Sequence, residues 1–171
     1  MAPADFRQLE ADLRRGKVPA SWISDIEGSH ASTALIIMWA GRLARRVDAF
    51  YQETLRGYGL QYSDFSVLSI LRFSGAISPK QLNTTLAITS GGLTKTIRRL
   101  EREGFVSRAP DPEDGRGTLV SLTKKGERYL EPVFKENIEA HEEIFRDLPK
   151  ADRERIATAL RDLLDAFERG R

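Results

Sequence analysis

Cysteine is absent from this chain of 171 residues. Disulfides, cysteine-ligated zinc and thiol redox sensing are thereby excluded. Histidine is scarce: His30 and His141 stand far apart, with no His-Glu-x-x-His spacing to grip a metal. His30 is read as the start of a long helix and His141 as part of an exposed helix face. No serine has a histidine placed to activate it, so catalysis is not expected. Gly91-Gly92-Leu93-Thr94-Lys95-Thr96 lacks the glycine-to-lysine spacing of a phosphate-binding loop. No metal and no cofactor are expected.

Long hydrophobic runs are missing too. The longest covers residues 34–40, far short of a bilayer span. The N-terminal residues carry no apolar stretch of the kind a signal peptide needs. A soluble, cytoplasmic protein without a membrane partner is the expectation. Excess charge of one sign is also lacking, with 27 Lys and Arg against 25 Asp and Glu. Net charge therefore says little about partners, and the distribution has to carry that question. Residues 91–128 hold nine bases against six acids, whereas residues 139–169 hold six against nine. Positive charge gathers in one stretch, as either a binding face or a set of solvated helix faces.

What is present is helical periodicity, interrupted once. Residues 5–15 form a short amphipathic pattern, followed by an ambiguous turn around Trp22 and Ile23. Ile36, Trp39, Leu43, Val47 and Phe50 make one apolar stripe on a helix expected over residues 30–57. Ser63 is the expected cap of the next helix, which stops near Ser74-Gly75. Ala76-Ile77 is read as a very short strand. Ser78-Pro79-Lys80-Gln81 is a capping box with proline at the first helical position. Thr89 or Ser90 caps the helix after it, which ends at Gly104. Residues 105–109 and 117–122 read as two strands joined by a wide Pro- and Gly-rich hairpin. Thr123 caps a helix running to about Arg146. After Leu148-Pro149 a last helix carries Ile156, Leu160, Leu163, Leu164 and Phe167.

The order of short capped helix, basic helix and hairpin suits a winged helix-turn-helix. On a helical wheel Leu93, Ile97 and Leu100 share one side, while Gly91, Lys95, Arg98 and Arg102 point the other way. An apolar back with donors in front is what a helix needs to enter the major groove. Lys95 and Arg98 can bond guanine edges or neutralise phosphates. Gly91 and Gly92 permit close approach, and Ser90 and Thr94 offer hydroxyls. At the hairpin tip, Arg116 suits a narrow minor groove, with Asp114 pairing with it or holding the loop. The expected fold is mainly α with a small β-wing: a winged helix-turn-helix over residues 59–123 on a helical dimerisation region of residues 30–58 and 124–171. Residues 1–29 are an N-terminal extension.

Leu60-x-x-x-x-Phe65-x-Val67-Leu68, Thr89-Ser90-Gly91-Gly92-Leu93-Thr94-Lys95, Leu100-Glu101-x-x-Gly104-Phe105-Val106-x-Arg108, Asp111-Pro112-x-Asp114-x-Arg116-Gly117 and Val120-x-Leu122-Thr123-x-x-Gly126 occur in that order. Over residues 30–167 the pattern resembles the MarR family of winged-helix transcriptional regulators. The resemblance implies a homodimer built from the first long helix and the two C-terminal helices. It implies double-stranded operator DNA of pseudo-palindromic sequence as the partner. It also implies repression relieved by a small aromatic or phenolic effector. The N-terminal helix and the Thr-Ser-Gly-Gly stretch are similar to a urate-responsive branch. That branch carries a tryptophan near the first helices, an aspartate opening the second core helix and two arginines around the recognition helix. Trp22, Asp64 and Arg108 match three of these places, and Trp39 is a further aromatic candidate. Thr96 departs from the pattern where the other arginine is expected. Packing by Trp22 and Trp39, and helix capping by Asp64, are the competing readings of those residues. Two other functions stay open: an architectural DNA-binding protein with little sequence preference, and a helical module that holds a protein partner.

Overall fold

A computed structural model describes residue 15 and residues 28–170 other than 87, 115 and 116, with side chains from residue 32 onward. The elements are α1 (Gly28–Thr54), α2 (Tyr62–Ser74), α3 (Pro79–Leu86), α4 (Ser90–Arg102), β1 (Val106–Pro110), β2 (Thr118–Leu122), α5 (Lys124–Ile144) and α6 (Lys150–Arg169). The architecture is thus mainly α with one two-stranded antiparallel sheet. Apart from residue 15, the expected helix over residues 5–15 lies outside the described residues. No helix among the described residues is long and apolar enough to cross a membrane.

The chain divides into two compact units, Met1–Glu53 and Thr54–Arg171. In the first, α1 presents the expected stripe, with Ile36, Leu43 and Val47 exposed and Trp39 and Phe50 part-covered. The Arg42 guanidinium lies 5.6 Å from the Trp39 ring centre, and Phe50 meets Tyr51 edge-on.

The second unit begins with a tight turn rather than the further helix expected to residue 57. Leu55 is fully buried, and a single 3₁₀ turn, Arg56–Tyr58, follows it. Gly59 ends that turn at φ 64°, a left-handed conformation that glycine adopts without a Cβ penalty. The start of α2 corrects the expected cap. Gln61, not Ser63, is the N-cap, and the Asp64 carboxylate accepts the Gln61 N–H at 2.9 Å. Gln61 and Asp64 stand at the N-cap and third helical positions that a capping box requires, whereas Ser63 already lies inside the first turn.

Local signals elsewhere act as read. The Gln81 side chain accepts the Ser78 N–H at 2.8 Å, closing the capping box of α3. Between the two candidates for the cap of α4, Thr89 takes the role and accepts from Gly92 N at 3.2 Å. Thr123 does the same for α5, accepting from Gly126 N at 3.0 Å. Strands β1 and β2 pair from Val106–Leu122 to Pro110–Thr118. The short strand expected at Ala76-Ile77 is one bridge, Ile77 to Val120. Leu68, Leu71, Leu82, Ile97, Leu100 and Val120 close the core between the helices and the sheet. Full burial of each such side chain stabilises by roughly 1.5–3 kcal/mol.

Candidate nucleic-acid interface

Helix α4 separates its two sides as the wheel requires. Leu93, Ile97 and Leu100 are buried, whereas Lys95, Arg98 and Arg102 are exposed. The buried side anchors α4 against α2, α3 and β1, so the outer side is held rather than free to roll. On that side Ser90, Gly91, Thr94, Lys95, Arg98, Arg99 and Arg102 line one groove of about 580 Å³. Four cations on one wall, with the free N–H groups of the first helical turn at one end, make a site for polyanions.

The two adjacent glycines have different reasons. A Cβ on Gly91 would meet nothing within 4 Å, so this backbone lies open to an approaching surface. A Cβ on Gly92 would sit 3.0 Å from the Thr89 Oγ1 that caps the helix. Gly92 therefore serves the cap and lines a second cleft, outside the cationic groove. Thr94 donates its hydroxyl to the Ser90 carbonyl at 2.8 Å, so its lone pairs are what it offers outward in this rotamer.

In the hairpin, Asp111 organises the loop through its side chain. Its Oδ1 accepts the Glu113 N–H at 2.9 Å, and its own N–H donates to the Gly117 carbonyl at 3.0 Å. Asp114 contributes its backbone carbonyl to Gly117 N at 2.7 Å. A Cβ at Gly117 would lie 2.9 Å from that of Asp111, so only glycine fits. The Asp-Pro-Glu spelling signals such a side-chain turn. Arg116 lies outside the described residues.

Of the ligand candidates, the structure describes Trp39, Asp64 and Arg108. Trp22 lies outside the described residues, and Trp39 belongs to the first unit. Asp64 is buried, with one carboxylate oxygen on the Gln61 N–H and the other accepting from Arg99 Nε at 3.1 Å and, closely, from Arg99 Nη2. Arg108 on β1 instead pairs with Glu101 of α4 at 3.2 Å. Arg99 also donates to the Gln61 side chain at 3.0 Å, bridging the start of α2 to α4. The sequence reading missed Arg99, whose partners lie 35 and 38 residues away. Thr96 is buried, and its hydroxyl lies 3.4 Å from that of Ser63. Gln61, Ser63, Ile88, Gly92, Lys95, Thr96 and Arg99 line the second cleft, of about 260 Å³.

Among the described residues no cluster of three potential metal ligands occurs. His141 is part-covered rather than on an open face, and burial lowers its pKa from the ordinary histidine value.

The MarR family model matches residues 60–118. The uncharacterized HTH-type transcriptional regulator YwoH of Bacillus subtilis (strain 168) is 34% identical over 121 residues, spanning 71% of this chain and 88% of that protein. The crystal structure of a mutant MarR from E. coli complexed with operator DNA aligns at a TM-score of 0.65 and 30% identity, covering 75% of this chain and 95% of that one. BpsR of Bordetella bronchiseptica, whose DNA binding is regulated by 6-hydroxynicotinic acid, aligns at 0.67 and 28% identity, covering 75% of this chain and 97% of that one.

Proposed function

The chain is a DNA-binding transcriptional regulator of the MarR family, and we propose that it acts as a ligand-responsive repressor, a homodimer on a pseudo-palindromic operator. The groove along α4 carries this reading, because its cations project from a helix whose other side is locked into the core. Lys95 and Arg98 read base edges, Ser90, Gly91 and Thr94 admit close approach, and Arg116 reaches an adjacent minor groove. The operator complex of the similar E. coli protein supports the same use of the fold here.

Dimerisation is supported by apolar side chains that remain exposed. On α6, Ile156, Leu160, Leu164 and Phe167 are between 43% and 55% exposed, all on a helix otherwise rich in charge. Covering the open half of each would stabilise by on the order of 1 kcal/mol per side chain. On α1, Ile36, Ile37, Leu43 and Val47 offer a second such face. Two copies bring two recognition helices to half-sites about 34 Å apart. Leu160→Glu combined with Leu164→Glu should yield monomers by analytical ultracentrifugation and lower affinity for a full operator to that for a half-site. A dimer that survives both substitutions would remove α6 from the interface.

The effector reading is supported by the 260 Å³ cleft beside α4, where Lys95 and Arg99 supply positive charge suited to an acidic aromatic molecule and Ser63 and Thr96 offer hydroxyls. The ligand-regulated similar protein BpsR supports the same class of effector. Complete relief of repression needs about 5.5 kcal/mol of differential affinity between the two states. Selecting bound sequences from random DNA, then titrating aromatic acids against the selected operator, tests the whole reading. A specificity ratio near one would favour an architectural protein instead.

Arg116→Ala should weaken operator binding and reduce the slope of log affinity against log salt by about 0.9, the share of one phosphate contact. Filter binding at several salt concentrations reads both. Unchanged affinity together with an unchanged slope would take Arg116 off the DNA.

A further inference from the structure

The backbone just past the recognition helix gives its carbonyls to the start of α5. Glu103 caps α4, and Gly104, at φ 75°, turns the chain into β1. Three consecutive carbonyls then accept from two residues, Lys125 and Thr123. Lys125 Nζ donates to Glu103 O at 2.6 Å. The Thr123 hydroxyl donates to Gly104 O at 2.7 Å, and Thr123 N donates to Phe105 O at 3.0 Å. Gly126 lies so close that a Cβ there would clash with the Phe105 carbonyl. The Phe105 ring is held as well: Tyr129 stacks on it at 4.3 Å between centres, and Lys125 Nζ lies 5.0 Å from its centre. The Tyr129 hydroxyl donates to the Tyr58 carbonyl, in the 3₁₀ turn before α2.

We propose that Lys125 and Tyr129 are positioning residues for DNA recognition, clamping the exit of the recognition helix and the turn before α2 to one end of α5. They touch no DNA in this account and act through Glu103, Phe105 and Tyr58. The inference rests on the DNA-binding reading of α4. Base-edge hydrogen bonds weaken within a few tenths of an ångström and a few tens of degrees. Phosphate contacts made by long, flexible cations follow a displaced backbone. A loosened clamp therefore costs specific binding more than non-specific binding, whereas a loss of folded protein lowers both by the same factor.

Tyr129→Phe keeps the stack on Phe105 and removes the hydrogen bond to Tyr58 without changing charge. Its affinity for a selected operator should fall about tenfold, the scale of one well-placed hydrogen bond, with affinity for random DNA within about twofold of the parent. Lys125→Met should behave likewise after correction for its lost charge, and Lys125→Arg, which keeps donor and charge, should restore most of the ratio. Competition fluorescence anisotropy on folded protein, with circular dichroism as the folding check, gives both affinities. Parallel loss on the two DNAs, or no change on either, in Tyr129→Phe would overturn the clamp. If Tyr129→Phe does not fold, Lys125→Met against Lys125→Arg decides by the same ratio. A parent protein with no preference for any sequence would overturn the regulator reading and the clamp with it.

Discussion

Replacing Lys95 and Arg98 together by alanine will remove most operator binding while leaving the fold intact. Both side chains stand on the outer side of α4 and line the cationic groove. A well-placed contact from either to a guanine edge discriminates by about 1–3 kcal/mol. Together they account for roughly 2–6 kcal/mol, or about 30-fold to more than 10⁴-fold in affinity. Where they neutralise phosphates instead, the salt slope falls by up to about 1.8. The two outcomes are separable: a loss of preference with a preserved slope means base reading, and a flattened slope means phosphate contact. Outward-facing substitutions of this kind change stability by about 0.5 kcal/mol or less, so the melting temperature should hardly move. A double variant that retained parental affinity would remove this side of α4 from the DNA.

Arg99→Leu should be the most destabilising single change on the same helix's outer side. Asp64 is 2% exposed, and its carboxylate relies on the Gln61 N–H and on Arg99. Removing one partner of a buried pair costs about 3–5 kcal/mol when the remaining charge is left alone. Here the N-cap hydrogen bond and the positive end of α2 still serve Asp64, so about 2–3 kcal/mol is expected. In a chain of this length that lowers the melting temperature by about 5–10 °C. Asp64→Ala costs stability too, through the lost cap as well as the lost pair. Because the two changes break one shared interaction, the double variant should be less destabilised than their sum. Strict additivity in chemical denaturation would show that the pair contributes nothing. Arg99 also lines the cationic groove of α4, so on the proposed DNA-binding role its replacement should weaken operator binding beyond the fraction unfolded.

Both expectations turn on α4, whose residues differ in how far the sequence reveals them. Lys95 and Arg98 are visible because helical periodicity puts Leu93, Ile97 and Leu100 on the opposite side, and burial follows that pattern. Arg99 stands next to Arg98 and looks like one more surface cation. Its partner comes from α2, and no local rule relates residues 35 positions apart. The same holds for Gly91 and Gly92, identical in sequence, one open to approach and one crowded by the capping threonine. Ser63 looks like the natural cap of α2, yet Gln61 has the acid three residues on that closes the box.

The sequence by itself determined the order of helices, the hairpin, most caps, and which side of α4 turns inward. These depend on hydrogen bonds and periodicities that close within a few residues. The absence of cysteine likewise decided, without any fold, that no disulfide holds the protein together. Only the tertiary structure decided that Asp64 belongs to Arg99, that Arg108 belongs to Glu101, and that the end of α4 is held by Lys125 and Thr123. Each of these joins groups that no helical or strand period relates, and each depends on packing that sets their separation to within an ångström. A hydrogen bond exists or fails on that scale, which residue types in a row do not encode.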